Sequence, residues 1–286
     1  MHATPSGTIH PSRQAGAAAD LVAPPIFVGG AGRSGTTLLR VILDSHSRIA
    51  CGPEMKVLPQ VAQLWVDLRT TYGPHLAGSS VQAADVDRSV RALIAGLLGA
   101  ARRQSGKPRI AEKSPNNVFV FRHLHAMFPH AAYVHVLRDG RDVVASLLSM
   151  DWRTLDGKRV DYTTDAHAAA RYWVSAIRSA RAFADATHGR SRYHELRYEA
   201  LIAEPEPVLR TLFEFLGEPW EPGVLDYHRH EHALGVESST EAVKRPIYRS
   251  ATGRWQRDLT PAQRDAVKRE AGATLVELGY CANLDW

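Results

Sequence analysis

A short apolar run, Ile26-Phe-Val-Gly29, passes into Gly30-Ala-Gly-Arg33-Ser34-Gly35-Thr36-Thr37 and then into Leu38, Leu39, Val41, Ile42 and Leu43 at helical spacing. Strand, glycine-rich turn and helix in that order are the opening of a crossover unit, and they give a phosphate-binding loop the context it needs. Glycines let the backbone close around an anion, exposed N–H groups donate to its oxygens, and the helix N-terminus adds roughly half a positive charge. The spacing is G-x-x-x-x-G, yet Thr36 stands where a nucleotide triphosphatase carries the lysine that reaches the β and γ phosphates. Arg33 and the hydroxyls of Ser34, Thr36 and Thr37 remain. They suit a less highly charged anhydride, such as a sulfuryl donor, held without Mg²⁺.

From Pro24 onward, short β-branched or aromatic runs alternate with longer helical patterns, which predicts an α/β fold on a parallel sheet. The expected strands are Ile26 to Gly29, Arg48 to Cys51, Arg109 to Glu112, Ala132 to Leu137 and Arg192 to Leu196. Helical spacing covers Val57 to Tyr72, Asp85 to Arg103, Arg141 to Met150, Asp165 to Thr187 and Pro205 to Leu216, with Asp85 and Thr164 as N-caps. Gly73 to Ala84 and Leu234 to Gly253 are weakly periodic, and the second is long enough for a functional loop. Residues 1–23, rich in small and polar types, read as a flexible leader. Residues 24–286 then form one domain, a size that buries its own core. No apolar run approaches the length of a membrane helix or signal peptide, and the two cysteines, Cys51 and Cys281, have no metal or redox spacing. A cytoplasmic protein with no membrane partner is the expectation.

A second strand-turn-helix lies at Tyr133 to Leu137, Arg138-Asp-Gly-Arg141-Asp142 and Val143 to Leu148. Arg138 and Ser146 would share one phosphate beside the first loop, which implies a ligand with two separated anionic groups. The alternative is a solvated turn with internal Arg–Asp pairs. A net charge of +5 favours an anionic ligand without the dense basic patch of a nucleic-acid binder. Lys244 to Arg257 holds five basic residues and no acidic one, and reads as a loop over the ligand in preference to an RNA site. His228, His230 and His232 alternate, so a helix would put only His228 and His232 on one face, and no third metal ligand is evident.

GRSGTTLLRVILDSH (Gly32 to His46) and VLRDGRDVVAS (Val136 to Ser146) together resemble the two donor-binding signatures of sulfotransferases that use 3′-phosphoadenosine 5′-phosphosulfate (PAPS). CGPEMKVLP (Cys51 to Pro59), EKSP (Glu112 to Pro115), RYE (Arg197 to Glu199), GVESSTEAVKRPI (Gly235 to Ile247), GRW (Gly253 to Trp255) and ELGY (Glu277 to Tyr280) are most similar to tyrosylprotein sulfotransferases. The resemblance implies a P-loop-like three-layer fold. It puts Arg33, Ser34, Gly35, Thr36 and Thr37 on the 5′-phosphosulfate, and Arg138 and Ser146 on the 3′-phosphate. Tyr198, Ser239 and Arg254 fall at further donor contacts, with Arg254 in place of the family's lysine. Glu54 matches the general base, Lys113 would stabilise the leaving phosphate, Ser239 would donate a hydrogen bond and Arg33 would neutralise the phosphosulfate. No metal is required.

Other candidate bases are His46 and His125, since small-molecule sulfotransferases more often use histidine. Pro53, Lys56, Met150 and Ala111 depart from the family pattern, the first two near the acceptor. The implied reaction transfers a sulfuryl group from PAPS to a hydroxyl and leaves adenosine 3′,5′-bisphosphate (PAP). Its preferred acceptor is a tyrosine phenol in an acidic peptide, with a small phenol, a secondary metabolite or a glycan hydroxyl as alternatives. The tyrosylprotein relatives suggest a homodimer. A Mg²⁺-dependent phosphotransferase and a non-catalytic nucleotide-binding or RNA-binding protein are the remote rivals.

Overall fold

The computed structural model describes residues 21–154, 156–187, 192–233, 235, 239–247 and 252–286. The expected leader lies outside the described residues apart from 21–23. Five parallel strands form one sheet in the order β2-β3-β1-β4-β5: β1 (Ile26–Gly29), β2 (Ile49–Ala50), β3 (Arg109–Lys113), β4 (Ala132–Leu137) and β5 (Arg192–Arg197). Helices cover both faces, so the inner strands are buried on both sides and read as continuous apolar runs. Phe27 and Tyr133 point into one apolar cluster, while Ile26, Val28, Val134 and Val136 point into the other.

The helices are α1 (Thr36–Ser45), α2 (Leu58–Arg69), α3 (Gly73–Gly78), α4 (Ala83–Ser105), α5 (Phe121–Met127), α6 (Gly140–Leu148), α7 (Ala166–Ala186), α8 (Tyr198–Ala203), α9 (Pro205–Leu216), α10 (Trp255–Asp258) and α11 (Pro261–Glu277). The register Ile26 to Ala111 on one side and Ile26 to Ala132 on the other sets β1 between β3 and β4. The chain leaves β1 for one edge of the sheet and later crosses to the other. The loops after β1, β3 and β4 therefore meet at the strands' carboxyl ends, where open α/β sheets bind ligands.

Both expected N-caps move by a short step. The helix after Gln82 begins two residues before Asp85, and the Asp85 carboxylate instead accepts from the Gln82 N–H at 2.8 Å as the third residue of a capping box. Asp165 caps α7 by accepting from the Ala168 N–H at 2.8 Å, whereas the Thr164 hydroxyl donates to the Asp161 carbonyl and closes the preceding turn. β2 is two residues long; the expected last residue, Cys51, gives its N–H to the Asp44 carboxylate at 3.0 Å. The weakly periodic stretch at residue 73 contains α3, and α11, which periodicity alone did not flag, packs along α7 behind a Thr260/Gln263 capping box.

Candidate active site

Between β1 and α1 the phosphate loop is held in a conformation that most side chains resist. Gly35 has φ 95° and Arg33, not a glycine, has φ 73°. A non-glycine residue in left-handed backbone is costly and persists where surrounding contacts impose it. A Cβ on Gly35 would lie 2.4 Å from the Tyr198 ring, and one on Gly30 would lie 2.5 Å from the Val136 carbonyl oxygen. The glycines thus keep a cradle open that any side chain would close. No acidic residue occupies the first turn of α1, so its N–H groups and positive dipole end face the cradle unneutralised. The residues present fit a phosphate-like group there.

Arg33 is the junction of the two loops. Its Nε donates to Ser146 Oγ at 3.1 Å on α6, and its Nη1 donates to Ser239 Oγ at 2.7 Å. Arg138, at the end of β4, donates from Nη1 to the Arg33 carbonyl at 2.8 Å and lies over the Tyr198 ring at 4.7 Å. Arg138 and Ser146 thus each contact Arg33, one at its carbonyl and the other at its guanidinium, and both line the same cavity. Arg–Asp pairs within the turn do form, Arg141–Asp139 at 2.7 Å and Arg138–Asp142 at 3.9 Å, but both are buried and not solvated. Asp142 accepts from the N–H groups of Gly253 (2.9 Å) and Trp255 (3.1 Å). Those bonds bring Arg254 to the same cavity, where Asp258 pairs with it at 2.7 Å. Burial pushes the Asp142 carboxyl above the usual carboxylate range.

The end of β3 carries the other half of the site. Its last residues and the next hold three successive residues beyond β2. Glu112 accepts from the Met55 N–H at 3.2 Å, Lys113 Nζ lies 2.5 Å from Glu54 Oε1, and Ser114 Oγ accepts from the Lys56 N–H at 3.1 Å. Lys113 Nζ also reaches Thr37 Oγ1 at 3.3 Å, so candidate base, candidate cation and phosphate loop are contiguous. Glu112 itself is buried and accepts further bonds from Ser114 Oγ and Asn117 Nδ2; burial raises its pKa. Glu54 pairs with Lys56 as well as with Lys113, but is no surface carboxylate. The Glu54 side chain is 12% exposed against 66% for Lys56, whose Nζ stands off at 3.5 Å.

Arg33, Gly35, Thr36, Thr37, Glu54, Arg138, Ser146, Tyr198, Ser239 and Arg254 line one cavity of about 620 Å³, within the size range of small-molecule and cofactor sites. Ser34 and Lys113 are buried behind that lining. The alternative bases lie elsewhere: His46 is buried against Phe213 and bonded to the Pro219 carbonyl, and His125 packs on Tyr133 and Phe183. His232 bridges Asp44 and the Tyr227 carbonyl, and among the described residues no three His, Cys, Asp or Glu side chains gather as a metal site. In the basic segment, Lys244 pairs with Glu241 and Arg257 with Asp258, while Tyr248 and Arg249 lie outside the described residues. The sequence reading missed Glu112 as a mount for residue 55, and missed Trp152, Tyr162, Tyr172 and Asn116 in the cavity wall. No motif marks these aromatics; only the fold brings them to the loop.

Residues 24–222 match the model of a family described as the sulfotransferase family. Protein-tyrosine sulfotransferase A of Caenorhabditis elegans is 29% identical over 270 residues, which are 91% of this chain and 68% of that protein. Protein-tyrosine sulfotransferase 1 of Homo sapiens is 30% identical over 271 residues, 90% of this chain and 70% of that one. The solved sulfotransferase domain from the curacin biosynthetic pathway superposes with a TM-score of 0.63 at 22% identity, covering 88% of this chain and 98% of that domain. At that identity the likeness is one of fold.

Proposed function

We infer that this chain, which belongs to the sulfotransferase family and is an enzyme of sulfuryl transfer, draws on PAPS and delivers to the phenol of a peptidyl tyrosine. The observation that carries the reading is the Glu54–Lys113 contact at 2.5 Å, set against Thr37 of the phosphate loop in the cavity shared by Arg33 and Arg138. When bound, PAPS supplies a sulfuryl group on a phosphate that departs as part of PAP. Everything else falls to the protein. A phenol with pKa near ~10 keeps its proton at neutral pH, so the acceptor needs a base, and Glu54 is the carboxylate available to take that proton as the new O–S bond forms. Lys113 and Arg33 put positive charge where the departing oxygen gathers negative charge, and Ser239, already bonded to Arg33, adds a hydroxyl donor.

Thr36 in the place of a triphosphatase lysine disfavours ATP as the donor. The peptide acceptor is supported by likeness to the protein-tyrosine sulfotransferases. The test is incubation with PAPS and a panel of tyrosine peptides, small phenols and glycans, with mass spectrometry to find which compound gains sulfate and at which atom. Sulfated tyrosine is the expected product. Sulfate found only on glycans or aliphatic hydroxyls overturns the acceptor, and no acceptor-dependent PAP overturns the reaction.

A further inference from the structure

The phosphate loop is flanked by aromatic rings at both ends. Tyr198 closes on Gly35, while Trp152 closes on Gly32, where a Cβ would lie 3.2 Å from the indole. The second ring belongs to a larger aromatic assembly. Tyr162 and Tyr172 stack with centroids 4.3 Å apart and planes 14° from parallel, and Trp152 stands edge-on to Tyr162 at 6.3 Å and 86°. All three line the cavity and keep part of their surface open. The stack is anchored: Tyr172 Oη accepts from the Gly32 N–H at 3.0 Å and donates to Asn116 Oδ1 at 3.0 Å. Burial, and to a lesser extent the nearby charge of Glu54, pushes the Tyr172 phenol up, which keeps it a neutral donor beside the base. Leu38, Ile202, Tyr227, Val243 and Ile247 also line the cavity, and all but Ile202 belong to or pack on the other apolar cluster, separate from that of Trp152, Tyr162 and Tyr172, so the nucleoside has an apolar lining besides the Tyr162 wall.

We propose that Tyr162 and Trp152 form a stacking wall for the ring of the acceptor, so that this enzyme selects aryl hydroxyls, in a peptide or in a small phenol, over aliphatic alcohols. The proposal rests on Glu54 as the proton acceptor: Tyr162 stacks on Tyr172, which bonds Asn116, three residues beyond the Lys113 that pairs with Glu54, and all but Lys113 line one cavity. A flat ring laid against Tyr162 meets it offset or edge-on, an arrangement worth about a three- to tenfold gain in affinity over an aliphatic group of similar size.

The experiment titrates acceptors onto protein saturated with PAP, by calorimetry, for wild type, Tyr162→Leu, Trp152→Leu and Tyr162→Phe. The ligands are phenol against its saturated counterpart cyclohexanol, and a tyrosine peptide against the same peptide with serine. Both leucine variants should lose about three- to tenfold affinity for the aryl ligand of each pair and less than about twofold for its partner. Tyr162→Phe, which keeps the ring, should bind as wild type does, and PAP affinity should hold within about twofold throughout. Loss with the peptide alone assigns the wall to peptide acceptors; loss with phenol as well extends it to small phenols. Equal losses for phenol and cyclohexanol, or a fall in PAP affinity with no aryl preference, overturn the proposal. Binding is read without turnover, so an enzyme that transfers nothing overturns the function above and still lets this measurement decide for or against the wall.

Discussion

On the anion side of the cavity, almost every group hangs from the carboxyl end of a strand: Arg33 follows β1, Lys113 ends β3 and Arg138 follows β4. The aromatic wall instead comes from the connection between α6 and α7 and from the first turns of α7. Register fixes the first set: Val28 pairs with Lys113 on one side and Val134 on the other, so β1 and β3 end within a residue of each other and β4 runs three residues past Val134 to carry Arg138. Side-chain packing alone fixes the second. The donor side should therefore respond to substitution steeply and in concert. The acceptor side should respond gradually, residue by residue, in binding more than in chemistry.

The harshest way to test that contrast is Glu54→Gln, which keeps shape and removes the base. Transfer to a phenol should fall by about 10² to 10⁴, while PAP affinity stays near that of wild type, as measured by single-turnover rates beside calorimetry. Equal loss of binding and rate would place Glu54 on the donor side. Next in size, Arg138→Ala should weaken PAP binding by about 30-fold or more, because it removes a buried cation bonded to the Arg33 carbonyl and stacked on Tyr198. The variant should also lower kcat, since Arg33 loses a partner. An unchanged dissociation constant for PAP would break the concert claimed for that side.

Glu112→Gln sharpens the same comparison through pH. Burial raises the folded-state pKa of Glu112 above its unfolded value, so the native protein favours the protonated form. That contribution is fully present below the ordinary carboxylate range, near ~4.3, and fades as pH rises toward the folded pKa. Wild type should lose stability relative to Glu112→Gln as pH rises above about 4, read from urea midpoints; wild type gaining on the variant as pH rises contradicts the sign. Because Glu112 holds the Met55 N–H, the variant should also lower kcat about threefold to tenfold with little change in PAP affinity. Smallest of all, Asp142→Asn leaves one acceptor for two N–H groups, those of Gly253 and Trp255. PAP affinity should fall about two- to fivefold through a displaced Arg254, and a double variant with Arg254→Ala should add nothing further.

The strand cores were legible because a parallel sheet covered on both faces demands apolar runs, and Ile26 to Gly29 and Ala132 to Leu137 satisfy that demand at their stated bounds. The phosphate loop was legible because few sequences other than a glycine-rich turn tolerate φ near 95° at Gly35. Caps were less so. Asp85 serves the helix start from the third position, and Asp165 outcompetes Thr164, whose hydroxyl is already engaged with Asp161. Ser34 and Lys113 were read as site residues yet lie behind the lining, a depth that spacing cannot report.

Resemblance to a family singled out Glu54 and Lys113; by itself the chain's order of residues determined that a sheet with an anion-binding loop would form and that Arg33 and Arg138 would stand just beyond strand ends. These are properties of local pattern: a period of two or 3.6, a glycine where backbone must bend left, a charge at a strand end. Only the tertiary structure decided that Lys113 would pair with Glu54 more closely than Lys56 does, that Ser146 would meet Arg33, and that two tyrosines ten residues apart would stack beside Gly32. The physical reason is that each of these contacts joins elements across the sheet or between its layers, where distance along the chain carries no information about distance in space.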